Sequence, residues 1–285
     1  MKTGLVLEGG ALRGLFTAGI LDVLMENNIQ TDGLIGVSAG AAFGCNYKSK
    51  QHGRVIRYNK RYAKDWRYCS WKSLLLTGDM FGKQFCYHDL PDKLDVFDSQ
   101  TFDANPMEFY AVCTDVTTGR PIYKKLMQHT YECNEWIRAS ASMPLVSHVV
   151  EIRGIKLLDG GVADSIPLEF FQHIGYERNI VVLTQPDGYV KKRSSLLWLM
   201  KILLRKYPAF LRAMADRPAM YNRELAYVKQ QERAGNTLVI RPQSKIKISH
   251  TSHDPTEMQR VYDEGRRIAT ENMPAIRRGS CSAIP

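Results

Sequence analysis

The first 47 residues contain the same order of features twice: an apolar stretch of strand length, a glycine-rich turn and a stretch with helical periodicity. Gly4–Glu8 precedes the helical stretch Leu15–Glu26, and Leu34–Val37 precedes the helical stretch Ala39–Tyr47. Continuous apolar strands are typical of parallel sheets that are covered on both faces. The order therefore predicts an α/β fold with a central, mostly parallel sheet covered by helices on both faces.

Later stretches extend this prediction over the 285 residues, a length that suits one large domain. A hairpin that turns at Gly154 is predicted over Val149–Leu158, and helices are predicted over Tyr131–Ser142 and residues 256–272. The last nine residues, 277–285, have the composition of a disordered tail. Further strands are predicted at Phe109–Asp115, Ile180–Thr184 and Thr237–Ile240.

Cysteine and histidine positions show no metal-ligand spacing. None of the six cysteines forms a CxxC pair, and Cys45, Cys86 and Cys113 lie among apolar residues, which favours reduced, buried thiols. The N-terminus lacks the apolar stretch of a signal peptide, and the longest apolar run, near Leu196–Leu204, is far shorter than a membrane span. We therefore expect a cytoplasmic protein without a metal or other cofactor.

Gly36-Val37-Ser38-Ala39-Gly40 is a GxSxG motif between a predicted strand and a predicted helix. A tight strand-to-helix turn needs small neighbours, so the glycines at 36 and 40 would let the two backbones approach. The Ser38 hydroxyl would then stand at a helix N-terminus, where backbone amides favour negative charge. Ser38 is a candidate nucleophile, although a structural Gly-Ser-Gly turn would have the same letters.

Gly9-Gly10-Ala11-Leu12-Arg13-Gly14 occupies the equivalent turn after the first strand. Consecutive backbone N–H groups in such a turn suit a phosphate or an oxyanion. A dinucleotide-binding loop would instead need a glycine where Ala11 stands and an acid at the end of the next strand, where this chain has Ser38. The loop therefore fits the serine better than it fits a nucleotide.

A third turn, Asp159-Gly160-Gly161, follows the predicted hairpin. An acid at a strand end before two glycines suits an active site, and it suits equally a structural turn in which aspartate binds its own backbone. Asp164 is expected to cap a helix that begins at Pro167 and to brace the turn. Packing beneath this region is predicted for Arg138, Ser140 and Ser142.

The order GGxxRG, GxSxG, DGG resembles the patatin-like phospholipase family, and in particular its bacterial stand-alone members. Further similar segments are GLVLEGG near the N-terminus, WIRASASMPLVS at 136–147 and DGGVADSIPL at 159–168, so the resemblance covers roughly residues 3–185. It implies a three-layer patatin-like fold and a serine acyl hydrolase that cleaves fatty acyl esters through a Ser-Asp dyad and an acyl-enzyme. Its substrate would be a phospholipid or another fatty acyl ester.

The resemblance also implies a role for each matching residue. Ser38 would be the nucleophile and Asp159 the general base. The backbone amides of Gly9, Gly10 and Ala11 would form the oxyanion hole. Supporting positions would be Arg13, Gly36, Gly40, Gly160 and Gly161.

Two alternatives stay open at this point. The family has a glycine where this chain has Ala11, and a Cβ there costs about 1–2 kcal/mol if the position needs a positive φ. A catalytically weak or inactive module that binds lipid or membrane is therefore a second hypothesis. A Ser-His-Asp triad is another, with His173, His250 or His253 following Asp159 in the chain, although such hydrolases have more strands before the nucleophile.

Residues 187–217 carry a net charge of +6, more than half of the +10 of the chain. This cationic amphipathic helical pattern favours peripheral contact with an anionic membrane at its inner face, or packing of the apolar stripe on the core. The segment lacks a helix-turn-helix or RRM-like pattern, so nucleic acid is not an expected partner. We predict a catalytic core at 1–185 and a C-terminal extension at 186–285 packed on the same domain. The apolar stripe comprises Leu196, Leu199, Leu203, Tyr207, Phe210 and Met214.

Overall fold

A computed structural model of the chain describes residues 1–280, with side chains as far as Arg278. Within these residues eight strands form one sheet. The strands are β1 (Lys2–Leu7), β2 (Gly33–Val37), β3 (Glu108–Asp115), β4 (Pro121–Lys125), β5 (Val150–Ile152), β6 (Ile155–Asp159), β7 (Tyr176–Val182) and β8 (Thr237–Ile240).

The sheet has a parallel part and an antiparallel part that meet at β3. The order β8-β7-β1-β2-β3 is parallel throughout, whereas β4 and β6 both run antiparallel to β3, and β5 pairs with β6 as the predicted hairpin. Ser38 and Asp159 both lie where strands end beside β3. The predicted α/β class with a mostly parallel sheet is confirmed.

Helices cover both faces of the sheet because its strands are apolar on both sides. Leu5 and Leu7 pack towards α1, α2, α6 and α10, while Val6 and Ile35 pack towards α7 and α9. The helices are α1 (Gly14–Glu26), α2 (Ala39–Lys48), α3 (Arg54–Arg61), α4 (Trp71–Thr77), α5 (Ser99–Ala104), α6 (Tyr131–Ser140), α7 (Leu168–His173), α8 (Leu197–Leu203), α9 (Pro208–Arg233) and α10 (Pro255–Ser280). A π-helix, Phe85–Leu94, lies between α4 and α5.

The structure of the cationic segment, residues 187–217, differs from the amphipathic helical segment that its sequence pattern predicts. From Leu197 onward the segment forms two helices, α8 and α9. They are separate because a residue that precedes proline disfavours helical backbone angles, and Tyr207, which precedes Pro208, has φ −121° and ψ 68°. The predicted apolar stripe is divided as well. Tyr207, Phe210 and Met214 are buried, whereas Leu196 and Leu203 are 49% and 59% exposed.

Two further features concern the C-terminal helix and membranes. The prediction of a disordered tail is wrong for residues 277–280, which continue α10. The other residues of that predicted tail, 281–285, lie outside the described part of the chain. In the described residues, no helix combines the length and apolar character needed to cross a bilayer.

Candidate active site

Ser38 occupies a strained turn between β2 and α2. Its backbone has φ 56° and ψ −123°, a conformation that costs a non-glycine residue about 1–3 kcal/mol and is typical of functional turns. The turn is possible because Gly36 and Gly40 lie against backbone: a Cβ on Gly40 would be 2.5 Å from the Leu7 carbonyl oxygen. The Ser38 N–H donates to Ser140 Oγ at 2.9 Å, which fixes the turn on α6.

The pairing of β3 places Asp159 beside Ser38. Along one edge of β3, Val37 of β2 pairs with Val112, and β2 then ends. β4 occupies the other edge, so β6 must take the edge that β2 leaves, where Asp159 pairs with Cys113. The end of β6 therefore meets the end of β2. The closeness of Ser38 and Asp159 therefore results from the pairing of β2 and β6 with β3, which the separate sequence motifs do not show.

The Ser38 side chain lies beside the Asp159 carboxylate and, as a hydrogen-bond donor facing it, lowers its pKa; both residues are buried. Gly161 N–H also donates to Asp159 Oδ1, at 2.8 Å. Burial raises the pKa of Asp159, while the Arg217 charge and these hydrogen bonds oppose that rise. A carboxylate with a raised pKa is a stronger base than an aspartate in water, and this one lies beside the Ser38 side chain.

The glycine loop lies against the same serine. A Cβ on Gly9 would lie 2.8 Å from Ser38 Cβ, so only glycine fits there. Among the described residues the N–H groups of Gly9, Gly10 and Ala11 donate no hydrogen bond, and they are therefore free to bind an anion. Ala11 has φ 47°, so its position does use the left-handed region, and its Cβ is strained there. The oxyanion role of the loop stays a prediction.

A cavity of about 110 Å³ includes Ser38 in its wall and lies on the side of the sheet covered by α2, α3 and α6. Two of its polar members are engaged within the protein: Arg54 Nη1 donates to Asn46 Oδ1 at 2.8 Å, and His129 Nε2 lies 2.9 Å from Asn134 Oδ1. The remaining wall is mostly apolar, which suits an acyl chain. Apolar members include Ala42, Phe43, Tyr58, Tyr68, Phe81, Tyr87, Leu90, Phe97, Ile137 and Met143.

Two aromatic residues between α3 and the π-helix, Tyr68 and Phe81, belong to this cavity. Trp71 instead lies on the surface, 71% exposed, and Trp66 is partly exposed. The residues predicted to pack beneath the site do so. Ser140 accepts from Ser38, Ser142 O accepts from the Asp159 N–H at 2.8 Å, and Arg138 is buried.

Two cations of the 187–217 segment approach the site, although the sequence pattern grouped them with surface charges. Arg217 Nε donates to the Gly161 carbonyl at 2.5 Å, and Lys191 Nζ lies 4.3 Å from the centroid of the Tyr221 ring. Arg217, Tyr221 and Glu224 share one face of α9. The spacing of these residues along α9 is the signal that could have separated Arg217 from the exposed charges.

Asp164 does not cap the next helix as predicted. That helix begins at Leu168, and Pro167 provides no side-chain cap. Instead, Asp164 accepts from the Tyr123 hydroxyl at 2.7 Å and hydrogen-bonds to Glu224, whose carboxylate accepts from the Ile166 N–H at 3.1 Å. Burial and the facing carboxyl raise the pKa of Glu224, so the pair retains a proton that joins α9 to the loop after Gly161.

The histidines considered for a triad lie elsewhere. His253 Nδ1 is 2.6 Å from the Ala63 carbonyl oxygen, His250 Nε2 is 2.9 Å from Arg13 Nη1, and His173 ends α7. In the described residues none of the three forms a hydrogen bond with Ser38 or Asp159. Likewise, no group of three His, Cys, Asp or Glu side chains there is arranged to hold a metal ion.

Comparison with known families decides the relationship of this site. The family model for patatin-like phospholipases matches residues 5–171, more than half of the chain. The chain belongs to the patatin-like phospholipase family. The predicted resemblance is thus confirmed. A second family model, for a domain of unknown function named DUF6363, matches residues 207–279, which include α9 and most of α10.

Three relatives show how far the similarity extends. The "uncharacterized protein YjjU" of Escherichia coli is 28% identical over 194 residues, which are 65% of this chain and 53% of YjjU. A putative patatin-like phospholipase domain-containing protein of Caenorhabditis elegans is 26% identical, over 63% of this chain and 16% of its own length. Lysophospholipase nte1 of Aspergillus oryzae is 28% identical, over 61% of this chain and 11% of its own length.

Among solved structures, VipD from Legionella pneumophila aligns with 96% of this patatin-like chain and 67% of the VipD chain, at 13% identity and a TM-score of 0.47.

Proposed function

We propose that this patatin-like protein is a serine acyl hydrolase that cleaves fatty acyl esters of phospholipids or related lipids. Family membership and relatives named lysophospholipase support a lipid ester hydrolase. The observation that supports a Ser-Asp dyad is the position of the Ser38 side chain beside the buried Asp159 carboxylate, whose pKa it lowers. Backbone N–H groups without hydrogen bonds in the adjacent glycine loop, and an apolar cavity with Ser38 in its wall, support it.

The proposed reaction is acyl transfer in two halves. Asp159 accepts the Ser38 proton as Oγ attacks the ester carbonyl carbon, and the N–H groups of Gly9, Gly10 and Ala11 stabilise the oxyanion. The tetrahedral intermediate collapses, the alcohol leaves with the proton from Asp159, and an acyl-enzyme remains. Water then attacks the acyl carbon, giving its proton to Asp159, and the fatty acid leaves as Ser38 regains its proton.

A second candidate is a patatin-like module that holds lipid without turning it over. The observation in its favour is the strained φ of 47° at Ala11, within the loop that would bind the oxyanion. The two candidates differ in one property that needs no knowledge of the substrate. A hydrolase has an activated serine, whereas a binding module does not.

Fluorophosphonate labelling tests for that activated serine. We expect wild type to be labelled, and Ser38→Ala to lose both labelling and ester hydrolysis while its thermal unfolding stays unchanged. The matched control is Ser244→Ala, because Ser244 is exposed and lies in the loop after β8. Labelling of Ser38→Ala at the wild-type level would refute the nucleophile, and an unlabelled, inactive wild type would favour the binding module.

We also propose that α8 and the charges around it contact anionic membranes peripherally, at the inner face expected of a cytoplasmic protein. Trp198, Ile202 and Leu203 of α8 are 63%, 59% and 59% exposed. Each cation near an anionic surface contributes roughly 1 kcal/mol, and exposed apolar side chains add their burial. The exposed cations of the segment are Lys192, Arg193, Lys201, Arg205, Lys206 and Arg212.

Vesicle co-sedimentation tests this contact. Changing Lys201, Arg205 and Lys206 to Glu should remove most binding to anionic vesicles, and rising salt should weaken wild-type binding because exposed charges are screened. The matched control reverses three exposed cations at the other end of the sheet: Lys50, Arg178 and Arg233. Equal losses in both triple variants would mean that net charge, not α8, determines binding.

A further inference from the structure

Arg217 and Lys191 come from outside the matched patatin region, yet both approach its site. Arg217 Nε donates to the Gly161 carbonyl, and the Gly161 N–H in turn donates to Asp159 Oδ1. Arg217 is also the cation that acts most strongly on the Asp159 carboxylate. Arg217 of α9 is therefore connected to Asp159, the proposed base, through the backbone of Gly161.

Lys191 is held near the same site by α9. Asn222 of α9 fixes its backbone in both directions: Asn222 Oδ1 accepts from the Lys191 N–H at 2.9 Å, and Asn222 Nδ2 donates to the Lys191 carbonyl at 3.2 Å. Its ammonium group lies over the Tyr221 ring, and the Tyr221 hydroxyl donates to Glu8 Oε1 at 2.5 Å. Since Glu8 precedes Gly9, Lys191 lies beside the glycine loop.

Arg13 is the third cation of this group. Arg13 belongs to the glycine loop, and its Nη1 is 2.9 Å from His250 Nε2. Its buried Nε has no hydrogen-bond partner among the described residues. Both Arg13 and Lys191 lower the pKa of His250, after burial as the largest cause. The imidazole is therefore kept neutral and does not add a fourth positive charge.

None of the three cations is held in an ion pair among the residues with described side chains. Glu8 is engaged by Tyr221 and by the Thr184 N–H, and Asp159 by Ser38 and Gly161. Burial, followed by the Arg217 charge, lowers the pKa of Lys191 to about 8, although the charges of Glu8 and Asp159 act to raise it. Partly buried positive charge of this kind is stabilised by a bound anion.

The position of the three cations indicates which end of the substrate they would contact. The apolar cavity lies on the α2 and α6 side of the sheet and is the place for the acyl chain, whereas α9 covers the other face. An ester carbonyl at Ser38 with its acyl chain in the cavity would direct its alcohol portion towards the cations. The alcohol portion is where a glycerophospholipid carries its phosphate.

We propose that Arg13, Lys191 and Arg217 form an anion subsite that selects lysophospholipids or phospholipids whose headgroup carries a net negative charge. This proposal rests on the proposed hydrolase function. A choline headgroup is disfavoured because its cation would need a free carboxylate or aromatic face. Glu8 is already bonded, and Lys191 already covers the Tyr221 ring.

The experiment compares three esters with the same short acyl chain, all used as monomers: a lysophosphatidic acid, a lysophosphatidylcholine and a monoacylglycerol. Wild type should prefer the anionic ester by about tenfold or more in kcat/KM, the change expected from charge-assisted hydrogen bonds. Lys191→Met and Arg217→Met should each reduce that ratio about tenfold. Because the cations are partly buried, the ratio should persist in about 0.5 M NaCl, unlike vesicle binding.

Arg223→Met is the matched control, since Arg223 is an exposed arginine on the same helix and should leave the ratio unchanged. Thermal unfolding of each variant separates loss of selectivity from loss of fold. Equal hydrolysis of the three esters by wild type would overturn the subsite and leave the hydrolase standing.

Binding to Ser38→Ala keeps the subsite testable if wild type hydrolyses none of the esters. The probes are the same lysophosphatidic acid, lysophosphatidylcholine and inorganic phosphate, titrated into Ser38→Ala with and without Lys191→Met. Tighter binding of lysophosphatidic acid that depends on Lys191 would support the subsite even without turnover. Binding of inorganic phosphate alone, or binding independent of Lys191, would overturn its selectivity for a lipid headgroup.

Discussion

On one side of Ser38 lies an apolar cavity, and on the other lie three cations that form no ion pair among the residues with described side chains. Apart from Ser38 and the glycine loop, residues of α2, α3, α6 and the π-helix form most of the cavity, all within the matched patatin region. The cationic side depends on Lys191, before α8, and on Arg217 of α9. In our proposal the family core therefore provides the chemistry and the acyl site, while the C-terminal segment determines the headgroup.

The largest effect is expected from removal of Asp159, the proposed base, because hydrolysis of every ester would depend on it. Asp159→Asn should lower kcat/KM by about 10³ or more for anionic and neutral esters alike, since it abolishes proton transfer from Ser38. Changing His173, His250 or His253 singly to Gln should leave the rate within about tenfold. A histidine variant as inactive as Asp159→Asn would replace the dyad by a triad.

A change confined to the apolar side should separate acyl preference from headgroup preference. Ala42 lines the cavity, so Ala42→Phe should lower kcat/KM for long-chain esters about tenfold or more relative to acetyl esters, because each excluded methylene group is worth about 1–3 kcal/mol. The ratio of anionic to neutral esters at fixed short chain length should stay the same. If that ratio also collapses, the two sides are not independent.

A change on the cationic side should appear in the pH profile of a neutral ester. As the proposed base, Asp159 must be ionised, so we expect kcat/KM to rise with pH through its raised pKa. The Arg217 charge opposes that rise in pKa, and Arg217→Met should therefore move the acidic limb to higher pH. Lys191→Met should move it less, in the same direction. An unmoved limb would show that another group titrates.

The smallest expected effect concerns the loop between the two sides. Ala11→Gly relieves a positive φ, a gain of about 1–2 kcal/mol that is partly offset by the greater freedom of glycine in the unfolded chain. The free energy of unfolding should rise by about 0.5–1 kcal/mol, measured by denaturant titration. A rate increase without that stabilisation would place the defect in the oxyanion hole alone.

The two sides also differ in how far the sequence could predict them. Ser38, Asp159 and the glycine loop stand in contiguous motifs at strand ends, where tight turns restrict residue choice. Arg217 and Lys191 stand among six exposed cations of the same segment, and only the packing of α9 distinguishes them. The Asp164–Glu224 contact joins residues 60 positions apart, so the local pattern suggested a helix cap instead.

The pairing of β6 with β3 makes the proposed activity depend on strand alignment. Three residue pairs set the register of β6 on β3, and a slip of one position would bring Leu158 or Gly160 opposite Cys113 and reverse the faces of the strand. Such a slip would silence the proposed hydrolase with both Ser38 and Asp159 present. Amide hydrogen exchange in β6 would detect such a folded but misaligned state, which substitution of the dyad residues would never reveal.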